Sequence, residues 1–288
     1  MRNWNSNVAN FLIHFTGMTL QGTIRKHPVA SYFGFTFIIS WGSAYAMVAP
    51  SLLRGEAIPK MTGLLLFPVM IVGPCVAAFV VSYFTEGKQG VQAILRRMRR
   101  WNVALKWYVQ GILIPPVFIL VTLFLLTTIV STDFKPNFFP IGFLFAIPAG
   151  LLEEIGWSGF AFQQLHRRYH FMTSGIIIGL LWGLWHFPVI DFLGAASPHK
   201  QYLLFFFFAF VAVMVGIRLL ISWLYLNTHS IFLCQVTHIA STGCLVMFGP
   251  SRVSAAEECV WYSVYAIFLL IGLLSFFYSH RSRVDMNF

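Results

Sequence analysis

Charge is what this sequence has least of. Only 10% of its 288 residues are Asp, Glu, Lys or Arg, against about a quarter in soluble globular domains. Acids are scarcer still, nine against nineteen bases, while 58% of residues are hydrophobic and the mean hydropathy is +0.76. That balance excludes an ordinary soluble domain and indicates a multi-spanning α-helical membrane protein. Alternation of apolar and polar residues with period two is also missing, which excludes a porin-like barrel. Neither CxxC nor metal-ligand spacing links the four cysteines (Cys75, Cys234, Cys244, Cys259), and each reads as a small buried hydrophobe. No polar linker divides the chain, so residues 1–288 are expected to form a single integral membrane domain. No internal repeat is evident, which speaks against an inverted-repeat transporter. A removed signal peptide is not expected either. The stretch from Val8 to Leu20 is interrupted by Asn10, His14 and Thr16, and reads as a short interfacial or re-entrant helix.

What is present is a series of apolar runs. With about 20 residues needed per crossing, the sequence predicts an all-α, polytopic fold of about eight transmembrane helices. They fall near 29–49, 62–84, 107–130, 139–163, 172–190, 203–225, 230–248 and 259–279. The net charge of +10 does not point to nucleic acid, because the bases gather in the loops between spans. With the N-terminus cytoplasmic, thirteen Lys and Arg fall inside and five outside (Arg54, Lys60, Lys135, Lys200, Arg252), an orientation bias typical of cell-membrane proteins. The segment from Glu86 to Val103 is basic and amphipathic, suited to lie against anionic headgroups as a topology anchor.

Against this background two adjacent acids stand out. Glu153 and Glu154 lie mid-way through FFPIGFLFAIPAGLLEEIGWSGFAF, which carries no other charge. An ionisable group within a membrane is costly and marks a functional site by default. The other polar residues within the spans are His186, Arg218 and His238, with Asp191 at a span end and Asn227 and His229 at a junction. Acids and imidazoles on three separate helices suit hydrolysis. A carboxylate can take a proton from water, an imidazole can polarise or shuttle, and the same groups could hold a divalent metal such as zinc. Consecutive helical residues are about 100° apart, so only one of the two acids can face a reaction centre squarely. The other must turn to a neighbouring helix, a backbone donor or an interior Arg.

Smaller features read as structure. Gly156 and Gly159 allow close approach of another helix. Trp157, Phe160 and Phe162 pack against lipid or neighbours, Pro188 kinks the fifth span, His166 and His170 are solvated, and His229 caps a helix or sits in a loop. Glu153 is mid-span, whereas His186 falls near the outer end of its span, a depth gap that tilt must close.

Three motifs together resemble the CAAX prenyl protease and bacteriocin-processing family of intramembrane proteases. GLLEEIGWSGFAFQQL resembles the first motif, Glu-Glu-x-x-x-Arg. LLWGLWHFP looks like the second, an aromatic-x-x-x-His followed by Pro, through Trp182 and His186. NTHSIFLCQVTHIAST looks like the third, His-x-x-x-Asn, at His238. The resemblance covers roughly residues 65 to 245, with a motif-bearing core at 140–245. It implies a membrane enzyme that hydrolyses a peptide bond of a membrane-associated peptide or protein. The roles it implies are Glu153 as water-activating acid, Glu154 as its supporting carboxylate, and His186 and His238 as the imidazoles, with the metal left open. Two positions depart from the pattern: Ser158 stands where Arg is wanted and Thr242 where Asn is wanted. Thr242 lies one turn after His238 and could donate to an oxyanion. Arg218 could supply from another helix the charge Ser158 lacks. If neither substitution suffices, the alternatives are an inactive membrane scaffold or regulator, or a proton-coupled transporter using Glu153, Glu154 and His238 as a relay.

Overall fold

A computed structural model describes residues 20–190 and 199–279. The expected helix at Val8–Leu20, apart from Leu20 itself, lies outside the described residues, as do Asp191, Arg2, Arg281 and Arg283. Among the described residues every regular element is helical. In chain order these are α1 (Leu20–Lys26), α2 (Pro28–Leu53), α3 (Lys60–Met70), α4 (Val72–Met98), α5 (Leu105–Ile129), α6 (Ile141–Gly156), a π-helix (Trp157–Phe162), α7 (Gln163–His166), α8 (Phe171–Trp185), α9 (Leu203–Thr228), α10 (Ile231–Phe248) and α11 (Ala255–Ser279), with short 3-10 turns between some of them. Seven helices or continuous helical runs are long and apolar enough to cross a membrane. The chain is an all-α, multi-pass membrane protein.

The fifth expected span is different. The sequence predicts a helix over 172–190, but α8 has 15 residues, about 22 Å at 1.5 Å per residue. That is short of the roughly 30 Å hydrocarbon core. Pro188 does not kink the helix. Helix α8 ends at Trp185 with His186 as its C-cap, and Pro188 sits in the 3-10 turn Phe187–Val189 that follows. The basic amphipathic segment begins where the second span ends, because α4 is two helices joined across a kink at Gly87. Gly87, at φ 63°, breaks the run, a conformation that costs glycine little.

The bundle places polar groups inside and apolar groups outside. Tyr32, Thr36 and Ser40 recur at every fourth position of α2 and are fully buried, while Ile38 of the same helix is 70% exposed. Phe124, Phe205 and Ile271 are likewise exposed on α5, α9 and α11. Lipid is as apolar as these side chains, so close packing and interhelical hydrogen bonds must hold the helices together. One such bond runs from Ser40 Oγ to the Met70 carbonyl at 2.7 Å. Trp157, Phe160 and Phe162 are buried at 0, 3 and 1% exposure, so they pack against neighbouring helices and not lipid. Gly156 is where α2 and α4 come closest to α6. A Cβ there would lie 2.4 Å from the Tyr32 hydroxyl and 2.5 Å from the Pro74 carbonyl. All four cysteines are free thiols, Cys234 and Cys244 buried, Cys75 and Cys259 half-buried.

Candidate active site

The helical run Ile141–His166 changes winding directly after the two acids. Residues 141–156 are α-helical and Trp157–Phe162 form a π-helix, a rare winding that is frequent at functional sites. The local geometry keeps Trp157 and Ser158 each four residues from an acid and within reach of it. Trp157 Nε1 donates to Glu153 Oε2 at 3.1 Å, and Ser158 Oγ donates to Glu154 Oε2. The far side of the π-helix is tied off by side chains. Gln163 Nε2 donates to the Gly159 carbonyl at 2.6 Å, and Arg97 Nη2 donates to the same oxygen at 3.3 Å.

Both acids are fully buried, yet their surroundings differ. Glu154 is saturated with charged donors. Arg218, fully buried on α9, reaches its Oε1 through Nη2 at 2.6 Å and its Oε2 through Nη1 at 3.0 Å. His238 Nδ1 on α10 lies 2.9 Å from Glu154 Oε1, where the histidine donates if Nδ1 carries the proton. Arg218 Nη1 also donates to Ser158 Oγ at 3.3 Å. The contact that the expected rescue needs is present: a guanidinium from another helix meets Ser158 and Glu154. Such a two-pronged pairing is the geometry Arg favours with carboxylates.

Glu153 has no cationic partner of this kind. Its Oε2 accepts from two indoles, Trp182 Nε1 at 2.7 Å and Trp157 Nε1 at 3.1 Å. Its Oε1 is buried without a hydrogen-bond partner among the described residues. Two neutral donors fix the carboxylate plane and leave one oxygen open, which is the disposition a proton acceptor for water requires. The division of labour expected for paired acids thus has a structural basis: one is held by an Arg, the other has a free lone pair.

Trp182 is the hub that closes the expected depth gap. Its indole bonds Glu153 and its ring lies 5.1 Å from that of His238 and 5.6 Å from that of His186. The Arg218 guanidinium carbon sits 4.7 Å over the same ring, within cation–π range. His186 itself does not bond either acid. Its Nδ1 lies 2.8 Å from the Trp182 carbonyl, which leaves Nε2 uncommitted, and its ring is flanked by Trp185 and Phe210 at 4.8 and 5.2 Å. Trp41 Nε1 bonds the Trp185 carbonyl at 3.0 Å and pins this helix end.

Thr242 is not brought into the cluster. Ile239 and Val246 of α10 pack on Gly150 and Gly142 of α6, and Thr242 lies between them on that face. It is half-buried and its hydroxyl enters no hydrogen bond among the described residues. Sequence reasoning undervalued Trp157, treated as packing, although its place four residues after Glu153 was a signal. Tyr32, which is fully buried next to Thr36 on α2 and whose ring lies 5.8 Å from that of Trp157, had no sequence signal at all. Two histidines expected to be solvated are in part structural. His170 caps α8, its Nδ1 accepting from Met172 N at 3.3 Å, and His166 stacks on Phe162 at 5.3 Å. His229 follows α9 as its C-cap, in the left-handed region at φ 51°.

Several atoms that could hold a divalent metal are engaged in the protein's own hydrogen bonds. Both Glu154 oxygens face a guanidinium, Glu153 Oε2 is occupied by two N–H donors, and His238 Nδ1 is engaged with Glu154. No group of three His, Cys, Asp or Glu among the described residues has ligand geometry. A metal at this place would lie beside a fixed positive charge.

Two comparisons bear on this site. Residues 135–244 match the family described as type II CAAX prenyl endopeptidase, Rce1-like. Over 109 residues the chain is 32% identical to CAAX prenyl protease 2 of Methanococcus maripaludis, a match spanning 37% of this chain and 40% of that relative. The matched stretch contains Glu153, Glu154, Ser158, Trp182, His186, Arg218 and His238.

Proposed function

We propose, from the premise that the 135–244 core belongs to the CAAX prenyl protease and bacteriocin-processing family, that this chain is an intramembrane endopeptidase working by glutamate-activated water. The observation that carries the reading is the free Oε1 of Glu153, on a carboxylate whose other oxygen is fixed by two indoles. Water held at Oε1 gives a proton to Glu153 as its oxygen adds to the scissile carbonyl carbon. The tetrahedral intermediate then expels the amine, which leaves with that proton. His238, oriented through Nδ1 by the Glu154–Arg218 pair, presents Nε2 to the developing oxyanion or the departing nitrogen. His186 presents its own Nε2 from the end of α8. Thr242 is the remaining candidate oxyanion donor, acting on substrate alone. The substrate is a membrane-associated peptide or protein, and the basic helix ends face the cytoplasm of the cell membrane with the N-terminus inside.

The scaffold reading rests on the missing Arg and Asn equivalents, and Arg218 beside Ser158 and Glu154 answers only the first of these. A lipid-modified C-terminal peptide in vesicles provides the test. Wild type is expected to release the C-terminal fragment, and Glu153→Gln to lose all release while folding normally. Equal release by both would overturn the proposal.

A further inference from the structure

At the basic end of the bundle a cleft of about 420 Å³ opens between the ends of α4, α7 and α9. Its rim carries Arg97, Arg100, Arg167 and His229, its floor includes Phe162 and Tyr225, and no lining residue is acidic. The nearest ion pair is Arg167 with Glu86, at 3.5 Å and well exposed. Arg97 uses its two terminal nitrogens on Gln163 and the Gly159 carbonyl, while its Nε–H is buried without a partner. A buried donor left unpaired is costly, and so are like charges facing one another when only Arg167 has an anionic partner, itself exposed. His229 enters the cleft from a left-handed backbone conformation, a strained state in a non-glycine residue that tends to mark binding sites.

We infer that this cleft binds the phosphate-bearing headgroup of an anionic phospholipid. A phosphodiester would neutralise Arg100 and Arg167 and lay its glycerol region over the apolar floor. The location favours a lipid. The cleft lies where the helices end, beside exposed Trp101 (67%) and Tyr169 (48%), the residue types that settle at headgroup level. Its size admits a headgroup and no folded partner. Arg97 on the same rim donates to the Gly159 carbonyl of the π-helix, five residues from Glu154.

The inference does not depend on peptidase activity and is tested by binding. The purified full chain is placed in phosphatidylcholine nanodiscs containing spin-labelled phosphatidylglycerol or spin-labelled phosphatidylcholine, and the immobilised fraction of each is read. Wild type should select phosphatidylglycerol, and Arg100→Gln with Arg167→Gln should cut that selectivity on the order of tenfold. The charge-matched control, Arg96→Gln with Arg99→Gln on the same helix run but outside the cleft, should stay within about twofold of wild type. Equal losses in the two double variants would overturn the inference in favour of diffuse surface charge. Displacement of the lipid by millimolar inorganic phosphate would overturn it in favour of a free-anion site. Absence of selectivity in wild type would overturn it outright.

Discussion

The guanidinium of Arg218 meets both carboxylate oxygens of Glu154, at 2.6 and 3.0 Å, from a position 64 residues further along the chain. Both side chains are fully excluded from solvent. Removing one member of such a pair strands the other, at about 3–5 kcal/mol. Arg218→Met should therefore lower the unfolding midpoint in detergent sharply, and Arg218→Met combined with Glu154→Gln should recover a large part. Additive losses in that double-mutant cycle would mean the pair is not coupled.

Ser158 receives Arg218 Nη1 and donates to Glu154, so the charge can in principle enter from either position. Ser158→Arg alone sets two guanidiniums against one acid and is expected to destabilise. Combined with Arg218→Ser, it moves the cation to the place the family pattern prescribes and should restore much of the stability. Thermal unfolding of the two single variants and the swap decides this.

How far the sequence reached is seen in this constellation. Span order, the isolated acids and the three motif helices were legible, because apolar length and intramembrane charge have direct physical costs. The Glu154–Arg218 contact was only one option among several, since it depends on how α6 and α9 rotate about their axes. The shortness of α8 was hidden by the apolar residues after His186, which extend the hydropathy run past the true helix end. The π-helix left no composition signal.

Trp182 holds Glu153 through one indole N–H. Trp182→Phe keeps the ring against His238 and deletes that donor. A hydrogen bond to a charged group contributes about 1.5–3 kcal/mol, so kcat should fall roughly tenfold to a hundredfold with the unfolding midpoint little changed. An unaltered rate would remove Trp182 from the positioning of the base.

Thr242 and His238 are separated by the same logic. His238 is bonded to Glu154, whereas the Thr242 hydroxyl has no partner among the described residues. If Thr242 acts on substrate alone, Thr242→Val leaves stability unchanged and lowers kcat by about a hundredfold or more, the usual effect of losing an oxyanion donor. A fall of less than about threefold would leave the oxyanion to His238.

His229 lies outside the spans, and partial burial together with Arg100 and Arg97 pushes its pKa down. The folded protein thus disfavours the imidazolium, and the stability owed to the neutral ring is lost as pH falls below the ordinary histidine value of about 6.5. Wild type should lose more stability than His229→Gln between about pH 8 and about pH 5, read as unfolding midpoints in detergent. Parallel curves would show that His229 does not titrate against the cleft.

The winding change at Trp157–Phe162 amounts to one extra residue threaded into an otherwise regular helix. Upstream of it, α6 is fitted to α10; within it, the chain is fitted to α4. Deleting a single residue from that stretch would return the helix to 3.6 residues per turn and swing everything after it by about 100°. Gln163 and its hold on the Gly159 carbonyl would be carried away, while the face of α6 against α10 stayed as it was. The length of this one segment therefore sets how the chain beyond the two acids is aimed while α6 keeps its seat in the bundle, and a one-residue change in length there should matter more to the site than most substitutions at its rim.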